Sequence, residues 1–235
     1  MTVAALERGP AGRAEELRER YECVTAEIAE AARAEGRDPG ELTTLVITKF
    51  HPASLVRELH ALGHRDFGEN RHQEAAAKAA ALADLDLRWH FVGQLQSNKA
   101  KAVAAYAPRI HSLDRDSVLA ALAGTGAEAF IQVNLTDDPG RGGVAPGELG
   151  GFAERVLATA GISLRGLMAV AGLGREPEAE FARVRELRDR VLLPIAPEAV
   201  GLSIGMSGDF RAAIAQGATH LRIGTAITGK RPEAT

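Results

Sequence analysis

Lys49 follows the apolar run Leu45-Val46-Ile47-Thr48 and precedes Phe50, His51 and Pro52. An amine at the C-terminal mouth of a buried strand can lose its proton through desolvation, and a neutral amine is a nucleophile toward a carbonyl. The chemistry this placement offers is Schiff-base formation. Two later segments suit an anion. Gly201-Leu202-Ser203-Ile204-Gly205-Met206-Ser207-Gly208-Asp209 reads as a strand running into a helix, where glycines and serines leave backbone N–H groups free to face a phosphate at the helix N-terminus. Leu221-Arg222-Ile223-Gly224-Thr225-Ala226 reads as a second strand ending in a backbone turn, with a guanidinium just before it.

Taken singly, these segments are tight strand-to-helix turns, with Ser207 as a helix N-cap. Taken with Lys49 they imply a phosphorylated carbonyl compound held at both ends. A sugar phosphate, as in a Schiff-base aldolase, and pyridoxal 5'-phosphate both satisfy that requirement. Arg222 bears on the choice, because a permanent cation beside a pyridine nitrogen keeps that nitrogen unprotonated and weakens the cofactor as an electron sink.

These residues need elements to place them on one rim. Residues 12–37 read as an amphipathic helix, with Leu17, Tyr21, Val24, Ile28 and Ala31 or Ala32 at three- and four-residue intervals, stopped by Asp38-Pro39-Gly40. Thereafter short apolar runs alternate with helical stretches. The spacing predicts strands over residues 44–50, 66–68, 88–92, 109–113, 129–135, 164–169, 201–204 and 220–224. Helices are predicted over 54–62, 71–82, 99–106, 117–123, 146–160, 177–193 and 209–216. Strands separated by helices imply parallel pairing, and about eight of them closed on themselves make a (β/α)8 TIM barrel, a fold of roughly 250 residues. An open doubly wound sheet of fewer strands is the alternative. Barrels often build a phosphate site from the loops after strands seven and eight, which is where both anion-suited segments fall. The stretch 137–151, DDPGRGGVAPGELGG, reads as a glycine-rich loop with Arg141 as its one residue suited to an anion.

The chain has 235 residues, 46% hydrophobic and 25% charged, an ordinary globular balance that suits one large domain across residues 1–235. Its formal net charge of −3 provides no field to hold nucleic acid or an acidic membrane. Cys23 is the sole cysteine, which excludes an intrachain disulfide and a cysteine-held metal. The first residues carry Glu7, Arg8, Pro10 and Arg13 where a signal peptide needs an apolar stretch, so the expected location is the cytoplasm. Residues 230–235 are expected to be a disordered tail.

Longer strings carry a resemblance. Ile47-Thr48-Lys49, Phe67-Gly68-Glu69-Asn70 with Gln73-Glu74, Trp89-His90-Phe91-Val92-Gly93 with Leu95-Gln96-Ser97-Asn98-Lys99, Arg165-Gly166-Leu167-Met168-Ala169, Gly205-Met206-Ser207 and Arg222-Ile223-Gly224-Thr225-Ala226-Ile227 occur in order across most of the chain. Together they resemble the pyridoxal phosphate homeostasis proteins, the YggS/PROSC family. The resemblance implies a single barrel like the N-terminal domain of alanine racemase, preceded by an extra helix. It implies pyridoxal phosphate carried as a Schiff base on Lys49. Ser203, Gly205, Met206 and Ser207 with Gly224 and Thr225 would hold the phosphate, Arg222 would face the pyridine nitrogen, and Asn70 and Asn134 would lie near the ring. The implied role is to bind, buffer and deliver the cofactor to pyridoxal-phosphate-dependent apoenzymes, without robust turnover, as a monomer or weak dimer. An amino-acid racemase using the same lysine, and the aldolase, remain alternatives. The chain ends soon after the eighth strand, so no second domain is expected over the barrel mouth, which leaves the site open to solvent on one side.

The pattern has departures. Arg71, Gln94 and Gly208 stand where relatives commonly have tyrosine, proline and aspartate, and none removes an implied ligand. Arg141 stands where some relatives have a lysine proposed for a second cofactor site, and an arginine there suits phosphate but not Schiff-base transfer. His60 and His64 have the spacing of a helical metal pair, yet Gly63 between them and the lack of carboxylates favour ordinary surface histidines. His90, between Trp89 and Phe91, reads as a packed, hydrogen-bonded core histidine. Lys99 and Lys101 read as a solvated helix start.

Overall fold

The computed structural model describes residues 10–136, 138–172 and 174–230, which leaves most of the expected 230–235 tail outside the described residues. Eight parallel strands close into a barrel in sequence order: β1 (Thr43–Ile47), β2 (Asp66–Glu69), β3 (Arg88–Phe91), β4 (Arg109–Leu113), β5 (Ala127–Gln132), β6 (Ile162–Met168), β7 (Gly201–Met206) and β8 (His220–Ile223). Closure comes from β1 pairing with β8, with Leu45 opposite Arg222 and Val46 opposite Ile223. That register sets Lys49, two residues beyond β1, beside the end of β8. The open sheet is thereby excluded.

Eight of the helices are α1 (Pro10–Ala34), α2 (Ala53–Ala61), α3 (His72–Ala81), α4 (Ser97–Ala104), α5 (Asp116–Leu122), α6 (Leu149–Ala158), α7 (Pro177–Leu187) and α8 (Phe210–Ala215). A single turn, α9 (Thr225–Thr228), follows β8. α1 buries Leu17, Val24, Ile28, Ala31 and Ala32 against α2, α8 and α9, so its apolar stripe closes one flank of the barrel. Among the described residues no helix is long and apolar enough to cross a membrane.

Three local expectations are corrected. The glycine-rich stretch is not wholly a loop: it holds two short 3-10 turns, and Leu149, Gly150 and Gly151 form the first turn of α6. Burial of Leu149, Phe152, Ala153 and Val156 on one face outweighs the poor helix propensity of the two glycines. His64 is buried, not superficial, with Nε2 2.7 Å from the Asp66 carbonyl oxygen and Nδ1 3.3 Å from the Tyr21 hydroxyl, and His60 is half-buried. Ser207 is not an N-cap: α8 starts after Asp209, and Ser207 Oγ accepts instead from the Gly224 N–H at 3.3 Å. This hydrogen bond ties the β7 turn to the β8 turn.

Candidate functional site

The segments after β1, β7 and β8 meet around a cavity of about 470 Å³, within the ordinary range for a small-molecule site. Seven of the ten expected site residues line it: Lys49, Asn70, Met206, Ser207, Arg222, Gly224 and Thr225. His51, Val92 and Thr228 also do so and were not singled out from the sequence, since only closure of the barrel brings them together.

Lys49 is exposed at the rim, and its amine makes no hydrogen bond or ion pair to a described residue. The desolvated strand-end lysine inferred from the apolar run is therefore corrected, because β1 ends at Ile47 and the next residues turn outward. Phe50 adopts φ 68°, the sole positive φ among described non-glycine residues, and its N–H donates to Glu74 Oε2 at 3.0 Å. Such a conformation costs on the order of 1 kcal/mol or more and persists where the surroundings impose it. Below it the turn is fastened: Thr48 Oγ1 donates to Glu69 Oε1 at 2.7 Å, and Lys78 Nζ donates to the Thr48 carbonyl at 2.6 Å and to Glu69. A buried ion pair thus anchors the backbone that carries Lys49.

Arg222 forms part of the cavity wall from inside the barrel. Its guanidinium donates to the Ser203 carbonyl and hydroxyl oxygens and, at 2.8 Å, to the Ala169 carbonyl. Burial pushes it down to about 10, so it remains a cation at neutral pH. An arginine has five N–H donors, and these contacts leave some to present to the cavity. Asn70 adds a buried Oδ1 without a partner among the described residues. The Asn70 backbone is pressed against Gly93, where a Cβ would stand 2.1 Å from the Asn70 carbonyl oxygen. Glycine at 93 is a steric requirement of the cavity wall.

The β7 turn differs from the free N–H cradle expected of it. The Met206 N–H is taken by Asp209 Oδ1, whereas the Ser207 and Gly208 N–H groups make no hydrogen bond to described residues. A Cβ on Gly208 would meet nothing within 4 Å. The donors available at this end are those two amides, the Ser207 hydroxyl and the segment around Gly224 and Thr225.

Three expected site residues lie off the cavity. Ser203 is fully buried in the barrel, its hydroxyl engaged by Arg222 and by His111 at 2.8 Å. Gly205 has φ 90° and a position where a Cβ would come within 2.5 Å of Ala213, so it serves the approach of α8. Asn134 spends its amide on its own loop, donating to the Asp138 carbonyl and accepting from the Thr136 N–H and hydroxyl. Arg141 ends a 3-10 turn in that loop and also lies away from the cavity. Lys99 and Lys101 are exposed on α4.

The sequence profile described as the alanine racemase N-terminal domain matches residues 44–232. A protein of Pseudomonas aeruginosa named pyridoxal phosphate homeostasis protein is 44% identical over 221 residues, covering 88% of this chain and 93% of its own. The solved structure of PipY from Synechococcus elongatus, described as having pyridoxal phosphate bound, is 37% identical with a TM-score of 0.76, over 86% of this chain and all of that one. Alanine racemase from Corynebacterium glutamicum, at 16% identity and a TM-score of 0.64, shares the fold over 91% of this chain and 60% of its own. The chain belongs to the pyridoxal phosphate homeostasis protein family, built on an alanine-racemase-like barrel.

Proposed function

We propose that this chain binds pyridoxal 5'-phosphate in the cavity after β1, β7 and β8, holds it on Lys49 as a Schiff base, and releases it to other proteins without robust turnover of its own. The observation that carries this reading is the placement, on one cavity, of a lysine amine unpaired among the described residues, a buried guanidinium hydrogen-bonded to neutral oxygens, and a turn whose Ser207 and Gly208 N–H groups bond to no described residue. The residues fit the cofactor's three functional ends. Lys49 suits the aldehyde, the Ser207, Gly208, Gly224 and Thr225 segment suits the phosphate, and Arg222 suits a pyridine nitrogen that stays unprotonated. Bound there, the cofactor would supply a carbonyl for amine capture with its usual electron-sink capacity diminished by the neighbouring cation.

Exposure of Lys49 supports holding over catalysis. An amine at an open rim leaves its linkage accessible to water and to an acceptor's amine. Among the described lining residues the titratable side chains are Lys49, His51 and Arg222, with no tyrosine, cysteine or carboxylate to supply proton transfer on the two faces of the ring. Burial lowers the pKa of His51, and Lys78 and Arg20 push in the same direction, so it is a poor proton donor at neutral pH.

The test is reduction with borohydride after incubation with pyridoxal phosphate, followed by peptide mass mapping. Label on the peptide containing Lys49, and its loss together with the chromophore in Lys49→Ala, is the expected result. A chromophore that survives Lys49→Ala would overturn the assignment. Heavy-water incubation of the loaded protein with single-enantiomer amino acids separates carrier from racemase, since sustained exchange of the α-hydrogen would establish turnover.

A further inference from the structure

The interiors of such barrels are usually filled by branched apolar side chains. Here a line of polar groups crosses the interior. Asp66 opens β2 at the N-terminal mouth of the barrel, opposite the cavity. Its Oδ1 lies 3.2 Å from His90 Nε2; His90 Nδ1 lies 3.0 Å from His111 Nε2; and His111 Nδ1 lies 2.8 Å from Ser203 Oγ. Ser203 Oγ accepts from Arg222 at 2.9 Å. His90, His111, Ser203 and Arg222 are all buried, and Phe130 stacks on the His111 ring at 4.5 Å.

The two ends of this line dictate its protons. A carboxylate only accepts and a guanidinium only donates. Asp66 requires the His90 proton on Nε2, and a neutral His90 then accepts on Nδ1. His111 must therefore donate from Nε2 and accept on Nδ1, which obliges Ser203 to donate to His111 and leaves its oxygen lone pairs for Arg222. Each link agrees with the next, with neither two donors nor two acceptors facing each other. Burial lowers both histidines, with His90 also held back by Arg109 and Arg88 against Asp66, and His111 by His90, His220, Arg222 and Arg109; both stay neutral as the relay needs.

We propose that His111 and His90, anchored on Asp66, are positioning residues that fix the Ser203 hydroxyl and so orient the Arg222 guanidinium toward the ligand in the cavity. This rests on the reading of that cavity as a pyridoxal phosphate site. Among the described residues no carboxylate hydrogen-bonds to Arg222; three oxygens hold it, and of these the one able to rotate is the Ser203 hydroxyl. A fixed His111 Nδ1 removes that rotation. Around metal ligands, outer hydrogen-bond partners change affinity by on the order of tenfold or more, and an effect of the same order is expected for a guanidinium fixed in this way.

Two measurements decide the matter. Long-range ¹H–¹⁵N correlation spectra of the wild-type protein without ligand, assigned with single histidine variants, are expected to show His90 and His111 neutral and protonated on Nε2 near pH 7. An Nδ1–H form of either would overturn the relay even if no variant folds. In the second, pyridoxal phosphate is titrated into wild type, His111→Phe and His111→Gln. The phenylalanine variant keeps the ring stacking and loses both hydrogen bonds, so it is expected to weaken binding by about tenfold and move the absorption band of the bound cofactor. Glutamine can donate to His90 and accept from Ser203, and is expected to restore both readouts. A folded His111→Phe with wild-type affinity and spectrum, or a glutamine variant as impaired as phenylalanine, would refute the positioning role. Wild type that takes up no pyridoxal phosphate would instead remove the ligand, and the proposal with it, whatever the tautomers show.

Discussion

Acidification from pH 7 to pH 5 should destabilise this protein, and His220 sets a lower bound on the size of the effect. Its ring sits among His90, His111, Arg109 and Arg222, with Nδ1 2.8 Å from Thr219 Oγ1 and Phe130 edge-on at 4.9 Å. Burial, then repulsion from His90, Arg109 and Arg222 against a partial opposing pull from Asp66, lowers its pKa from 6.5 to about 4. The folded value lies below the unfolded one, so the unfolded chain takes up the proton first. Stability is therefore complete above pH 6.5 and falls as pH drops toward 4. At pH 5 the cost is about 1.5 pH units times 1.36 kcal/mol, or about 2 kcal/mol for this residue alone. His64, His90 and His111 shift the same way for the same leading reason, and add to it. Asp66 does not enter, because its pKa is depressed by His90 and Arg88 against the effect of burial, and its contribution is lost only below the ordinary carboxylate range. A domain of this size loses roughly 2–4 °C in Tm per kcal/mol, so the midpoint should fall by about 4–8 °C or more. Calorimetry or urea unfolding at the two pH values measures it, and His220→Gln should flatten the dependence by about 2 kcal/mol. Stability that is level or rises between pH 7 and pH 5 would refute the picture of neutral histidines in a closed barrel interior.

Three further outcomes follow from the site and its supports. Arg222→Ala should weaken pyridoxal phosphate binding and let the ring nitrogen protonate, read as an altered absorption spectrum of the bound cofactor; an unchanged spectrum would place the ring elsewhere. Lys78→Ala leaves the Glu69 carboxylate buried at 1% side-chain exposure without its 2.5 Å partner, and should cost about 3–5 kcal/mol in a denaturant titration. Gly93→Ala drives a Cβ onto the Asn70 carbonyl oxygen and should cost about 1–3 kcal/mol while also weakening cofactor binding, whereas full stability would mean that the Asn70 turn yields freely.

Much of the fold was legible in the chain itself. Short apolar runs and intervening helical stripes are local signals, and the eight runs coincide with the eight strands to within a few residues at their ends. The ends were less legible where burial overrode propensity, as at Leu149-Gly150-Gly151, and where β1 stopped at Ile47 short of Lys49. The cavity was legible through Lys49, Arg222 and the two turns, because each is a contiguous string with its own chemistry.

Ser203, Gly205 and Asn134 sit next to cavity-forming segments in sequence and yet lie off the cavity lining. Which face a side chain takes depends on strand register, and which amide is free depends on what the loop bonds to itself. His90, His111 and Ser203 lie on three separate strands with nothing local to connect them. Their line from Asp66 to Arg222 exists because the barrel closes and turns those positions inward. The sequence by itself determined the strand count, the helix that flanks the barrel and the lysine–arginine–glycine chemistry of the rim, since these rest on residue type and short-range spacing. Tertiary structure alone decided that Lys49 is exposed and that Arg222 is held by Ser203 and the Ala169 carbonyl, with a buried histidine pair behind the serine, because burial and hydrogen bonding between distant strands are properties of the closed barrel.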